Sequence, residues 1–190
     1  FKTPTSLKEF KDHVENNTLT DVLARFSPKR GDIFYLPAGR IHSIGAGNLI
    51  LEIQQSSDIT YRVYDYNRTG KDGKKRELHT ELAIEAIDYE VYDEYCTHSE
   101  PKIDCEIEIN RCKYFATTLL KVKNSCRIDV ANKDSFRIII VTSGKGNLID
   151  CNGNNIALKQ GDVLLIPAST DWVDINSCGN EIEIVTTYVP

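Results

Sequence analysis

The sequence predicts a mainly β protein built from two jelly-roll barrels with a small helical insert, and three observations carry that expectation. From residue 32 onward apolar residues recur with a period near two, as in half-buried strands. Gly, Pro and Asn-Gly signals punctuate the C-terminal half at the spacing of an all-β sandwich or barrel. One segment is present twice, as GDIFYLPAGRIHSIGAG at 31–47 and GDVLLIPASTDWVDI at 161–175. Duplication within 190 residues favours two small domains, at 1–100 and 101–190, each large enough to bury a core.

In chain order, residues 5–26 read as a helical insert of two helices. Ser6 and Glu9 fit a capping box, and Leu7, Phe10 and Val14 share one face. A second helix through Leu19, Val22, Leu23 and Phe26 stops before Pro28. Strands are expected at 32–36, 40–45, 48–54 and 59–66, followed by the polar loop NRTGKDGKKR (67–76). Lys71, Lys74, Lys75 and Arg76 in it read as a solvated charge run. A short helix near 80–88 has Leu82, Ala83, Ala86 and Ile87 as its apolar side, and the acidic stretch at 89–104 reads as a linker. From Cys105 nine short strands follow: IEI, YFATTLLKV, CRIDV, FRIIIVTS, GNLID, NIALK, DVLLIPA, DWVDI and EIEIVTTYV.

Composition narrows the function classes. A net charge of -5 and a pI near 5.4 argue against a nucleic-acid partner, which would call for a broad basic face. No apolar run approaches the ~18 residues of a membrane span, and the start FKTPTSLKEF is not a leader. Six cysteines without a CxxC pair read as reduced thiols of a soluble, cytoplasmic protein. The absence of methionine and the opening on Phe1 predict that an upstream piece has been removed.

The first copy of the repeat carries the chemistry. Gly31, Pro37, Gly39 and His42 have the spacing of the second half of the cupin signature, in which a turn aims a strand histidine into the barrel mouth as a metal ligand. The bland alternative is a packed, hydrogen-bonded histidine. In the second copy Gly161, Pro167 and Ala168 keep the turn, but Trp172 falls near the place of His42. An indole is no ligand for such a cation, so the C-terminal barrel is expected to be metal-free.

Together with EIQQSSDITYRVYDYNR and RELHTELA, the PAGRIHSIG segment resembles class I phosphomannose isomerase (mannose-6-phosphate isomerase) in its short bacterial form, from about Thr20 to Asp88. The resemblance implies interconversion of mannose 6-phosphate and fructose 6-phosphate through a zinc-stabilised enediolate. It assigns His42 as one zinc ligand, Asp58 and Arg62 to the active site, and Arg68 to the position of a lysine that holds the phosphate. The family's other zinc ligands, a Q-x-H pair and a glutamate, have no counterpart here. The chain is therefore expected to be a C-terminal portion whose first barrel is truncated, inactive alone, weak in zinc, and prone to self-association through exposed strand edges. Asp58 beside Arg62 would be a weak base, leaving the catalytic base open. The alternatives are a non-catalytic module that binds a sugar phosphate and a different metal-dependent cupin enzyme, such as an iron oxygenase.

Overall fold

In a computed structural model of the protein, which describes residues 1–57, 59–66 and 68–190, the chain divides into two compact units. One comprises residues 1–52 and 56–98, the other 53–55 and 99–190.

The first unit opens with helix α1 (Leu7–Glu15), started by the expected capping box. The Ser6 N–H donates to the Glu9 carboxylate at 2.7 Å, and the Glu9 N–H donates to Ser6 Oγ at 3.3 Å, so two otherwise orphaned donors are satisfied reciprocally. The expected second helix is only a 3₁₀ turn, Leu19–Asp21. Asn17 at φ 58° breaks the helix before it, Pro28 bars continuation after it, and the stretch between is too short to sustain a helix. Helix α2 (Thr80–Ala86) buries Ala83 and Ile84, whereas Leu82 is exposed, a one-position rotation of the expected apolar side. Phe1, Phe10, Leu19 and Ile84 form the buried centre, with Val14, Val22, Ile41, Val63, Ile87 and Tyr89 packed around it. Phe1 stacks on Tyr89 at 5.6 Å, and Phe10 meets the same ring edge-on at 5.8 Å.

Strand β1 (Asp32–Ile33) pairs with β2 (Thr97–His98), which lies inside the expected linker. The strands expected at 40–45, 48–54 and 59–66 are not strands among the described residues; an isolated bridge joins Thr69 to Lys75. Alternation supplies a half-apolar face but not the hydrogen-bonding neighbour a strand requires, and Leu49 there is 97% exposed.

The second unit is a two-sheet barrel. Its strands are β3 (Ile107–Arg111), β4 (Ala116–Val122), β5 (Ser125–Asp129), β6 (Arg137–Ser143), β7 (Lys145–Asp150), β8 (Asn155–Lys159), β9 (Val163–Ile166), β10 (Trp172–Ser177) and β11 (Ile182–Tyr188). They fall on the nine expected segments. All pairs are antiparallel, in the orders β3-β4-β11-β6-β9 and β5-β10-β7-β8. Between the sheets lie Leu120, Val122, Ile128, Ile139, Val141, Leu148, Val173, Ile175, Ile182 and Ile184, all essentially solvent-free.

The repeated segment builds the same two turns in both units. Gly31 and Gly161 adopt φ 92° and 90°, which an L-residue with a Cβ resists. Asp32 Oδ2 accepts the N–H of Lys29 at 2.8 Å, and Asp162 Oδ2 accepts that of Lys159 at 2.9 Å. Further on, the Arg40 N–H reaches the Pro37 carbonyl at 3.2 Å, as Thr170 reaches Pro167 at 3.0 Å. The copies part where pairing begins: β9 lies along four residues of β6, while β1 has a two-residue partner.

Candidate functional site

The PAGRIHS segment is held by its ends. Gly39 sits at φ 87° against the end of α2, and its carbonyl accepts the Asp88 N–H at 2.9 Å. Arg40 lies over the rings of Tyr92 (4.3 Å) and Tyr95 (5.3 Å) and pairs with Asp88 at 3.6 Å. His42 follows in coil, exposed, rather than on a strand. Its Nδ1 is 3.0 Å from the Arg40 carbonyl; a proton on Nδ1 donates there and leaves Nε2 as the accepting nitrogen, the tautomer a ligating histidine uses.

A second segment brings arginines near it. Ser43 Oγ and the Tyr66 hydroxyl are 2.9 Å apart, and Arg68 lies 5.4 Å from the Tyr66 ring centre. Arg68 donates through Nη2 to Asp65 Oδ1 at 2.8 Å and through Nε to the Asp65 carbonyl at 3.3 Å. Arg76 clasps the same carboxylate from the other side, Nε to Oδ2 at 2.8 Å and Nη2 to Oδ1. Hydrogen bonding from Arg76, then from Arg68, holds the Asp65 carboxyl down at about 2. Asp65 is 6% exposed, a buried anion made tolerable by two cations. Sequence reasoning missed Asp65 and read Arg76 only as part of a solvated charge run; the signal was present as an acidic residue inside an otherwise aromatic run, YDY, followed by a charge run able to answer it.

Arg62 is placed differently. Its Nη1 donates to the Glu77 carbonyl at 3.2 Å, and its N–H donates to His79 Nδ1 at 3.1 Å, tying the 59–66 stretch to the start of α2. Arg62 does not lie on the strand expected at 59–66, because that stretch is coil. Asp58 lies outside the described residues.

The donor set does not fit a zinc centre. Among the described residues no three His, Cys, Asp or Glu side chains gather as ligands. His13 bonds Thr18 Oγ1 (2.8 Å), His79 accepts from Arg62, and His98 in β2 pairs with Asp32 (2.8 Å). In the second unit Trp172 does not fill an interior ligand position. Val173 and Ile175 of β10 face the core, and Trp172 lies on the other face beneath Arg127, 3.7 Å from the ring centre, while Arg127 forks onto Asp174 at 2.8 Å twice.

Two antiparallel sheets enclosing one aliphatic core define the second unit as a cupin-type barrel. Residues 106–189 match the family model described as "Mannose-6-phosphate isomerase, cupin domain". Over 163 residues the chain is 37% identical to the probable mannose-6-phosphate isomerase GmuF of Bacillus subtilis, covering 85% of this chain and 51% of that protein. It is 35% identical over 166 residues to mannose-6-phosphate isomerase ManA of the same organism, covering 86% and 51%. The solved mannose 6-phosphate isomerase from Bacillus subtilis superposes with a TM-score of 0.68 over 97% of this chain and 58% of its own, at 22% identity, a likeness of fold. The chain is thus similar to mannose-6-phosphate isomerases, its second unit matching their cupin domain, and it spans about half the length of the curated relatives it matches.

Proposed function

We propose that this chain is part of an aldose–ketose isomerase that interconverts mannose 6-phosphate and fructose 6-phosphate. The observation that carries this reading is the 37% identity over 163 residues to a protein named as a probable mannose-6-phosphate isomerase. The arginines of the first unit support it. Arg68 and Arg76 share Asp65, so the trio retains one net positive charge. A sugar phosphate can take the outward N–H groups of Arg68 while Asp65 keeps that guanidinium oriented. Arg62 would supply positive charge to the oxygen of the enediolate formed as a proton moves between C2 and C1. Asp58 stays a positional candidate for proton transfer.

His42 Nε2 is one metal donor, and a chain offering one corner of a zinc site binds zinc weakly. The 190-residue chain is therefore expected to bind the sugar phosphate without turning it over. A coupled assay with mannose 6-phosphate and added zinc, run on this chain and on the full parent reading frame, tests both statements. Equal turnover by the two overturns the fragment reading. Turnover by neither overturns the isomerase reading and leaves the second one, a sugar-phosphate-binding cupin module, which the exposure of His42 outside any group of three candidate ligands among the described residues favours.

The same proposal includes a cytoplasmic location, consistent with six free thiols. It also includes self-association through the unpaired apolar segment, where Leu49 is 97% and Ile59 68% exposed. Sedimentation velocity should show a concentration-dependent dimer that Leu49→Ser with Ile59→Ser abolishes; an unchanged distribution removes that part of the proposal.

A further inference from the structure

The inner face of the second unit changes character along its length. Val122 opposes Ile182, Leu120 opposes Ile184, Thr118 opposes Thr186 and Ala116 opposes Tyr188; across the next ladder Val141 opposes Ile184, Ile139 opposes Thr186 and Arg137 opposes Tyr188. Directly opposed residues share a face. The aliphatic members of that face are the core, so the threonines, Tyr188 and Arg137 continue it at one end of the barrel. They are no less enclosed: Thr118 is 4% exposed, Thr186 0% and Arg137 2%. Sheet interiors favour branched apolar residues at such positions, and a buried arginine is stable only when paired.

Arg137 is paired on one side only. Its Nη1 donates to Glu106 Oε1 at 2.5 Å, the same oxygen that accepts the Thr118 hydroxyl at 2.5 Å and the Thr186 hydroxyl at 3.4 Å. The Tyr188 ring centre lies 4.8 Å from its guanidinium carbon. Its Nε, in contrast, is buried without an acceptor among the described residues. Such a donor is a marked exception to the rule that buried polar groups are bonded. Around it stand Arg111, which donates to the Tyr188 hydroxyl at 3.0 Å and forks onto Glu108, and Lys133, 4.9 Å from the Tyr188 ring centre. Three cations face two carboxylates here, a local excess of positive charge in a chain of net charge -5. Glu106 precedes the first residue of β3, and its side chain is 29% exposed, so its carboxylate can swing outward without breaking the ladder.

We propose that this polar end of the barrel binds a small oxyanion, a phosphate monoester or a carboxylate, on Arg137, and that Glu106 is the internal carboxylate the ligand displaces. The ligand's oxygens accept from Nε and Nη of Arg137 side by side, the geometry a guanidinium offers and an ammonium does not. The hydroxyls of Thr118 and Thr186, which now donate to Glu106, turn to the incoming anion. Glu106 moves to water, where its charge is cheaply solvated. The proposal stands on the second unit alone and does not depend on the isomerase reading.

The test is a titration of the 190-residue chain at constant ionic strength with inorganic phosphate and, separately, citrate, following the Arg137 Nε–Hε resonance and the Thr118 and Thr186 methyls by NMR. The expected result is a saturable shift of all three by ~10 mM, the range that reveals a Kd near ~1 mM. Glu106→Gln, which keeps the shape and removes the competing charge, should tighten binding about tenfold, equivalent to ~1.4 kcal/mol. Arg137→Lys should abolish the saturable methyl shifts. A response to phosphate alone assigns phosphate monoesters, one to citrate alone assigns carboxylates, and either supports the site. Shifts no larger than those given by chloride, or a Glu106→Gln protein that binds no more tightly, overturn it.

Discussion

Gly39→Ala is the sharpest test of how the PAGRIHS segment is held. Gly39 has φ 87°, a region where an L-residue costs ~1–2 kcal/mol. An added Cβ would also overlap the carbonyl oxygen of Ala86 and come within 3.1 Å of the Asp88 nitrogen. Neither atom is the end of a flexible side chain; both belong to the backbone at the C-terminal end of α2. Forcing that backbone apart costs ~1–3 kcal/mol by the scale of overpacked sites. The lower conformational entropy of an unfolded alanine returns only ~0.4–1 kcal/mol. A net loss of ~1–5 kcal/mol, centred near ~3 kcal/mol, follows. Gly47→Ala is the control: its φ is 82°, but nothing lies within 4 Å of an added Cβ, so it should cost no more than ~1.6 kcal/mol. Urea unfolding followed by tyrosine near-UV circular dichroism is the assay, because seven of the nine tyrosines lie within residues 1–98, while Trp172 fluorescence reports the second unit separately. Equal losses for the two variants would refute the close approach of the PAG turn to α2.

Asp65 predicts an acid limb. Its carboxyl is lowered from 3.8 to about 2, so its contribution is complete above pH 3.8 and lost as pH falls through about 2; Asp65→Asn should flatten the first unit's stability in that window, and parallel melting curves for the two proteins would contradict the clasp. Ser6→Ala removes the cap of α1 and should cost ~1 kcal/mol in the tyrosine-monitored transition, with no change in the Trp172 transition. Ile184→Ala, at the centre of the five-stranded sheet with 0% exposure, should cost ~2–5 kcal/mol read by Trp172 fluorescence; a loss under ~1 kcal/mol would mean the interior is not close-packed.

The turns of the candidate segment were legible and its wiring was not. His42 stands out by spacing, Arg62 and Arg68 only by the resemblance of EIQQSSDITYRVYDYNR to the isomerase family, and the turns before His42 follow from Gly31, Asp32, Pro37 and Gly39. That Asp65 clamps Arg68 and Arg76 could not be read from the chain alone, because the pairing spans eleven residues of polar loop whose periodicity encodes nothing. Trp172 misled for a different reason. Similarity of the two repeat copies suggests an equivalent position for it, but the alternation of β10 decides which face a side chain takes, and Val173 and Ile175 had already claimed the inner one.

The same distinction explains why one half of the fold was readable and the other was not. NIALK at 155–159 and LEIQQ at 51–55 each place two large aliphatic residues two positions apart, Ile156 and Leu158 in one and Leu51 and Ile53 in the other, yet the first is β8 and the second is coil. What separates them is the neighbour. The Asn152-Gly153 turn, with Gly153 at φ 81° and Asp150 accepting the N–H groups of Asn152 and Asn154, folds β8 back onto β7 over five paired positions. Among the described residues no hairpin returns 51–55 to a partner. Alternation in a sequence therefore states which face a strand would bury, and the turn beside it states whether there is anything to pair with. Where both signals agree, as from Cys105 to Tyr188, nine strands follow; where only the first is present, the chain stays unpaired and leaves apolar side chains such as Leu49 in water.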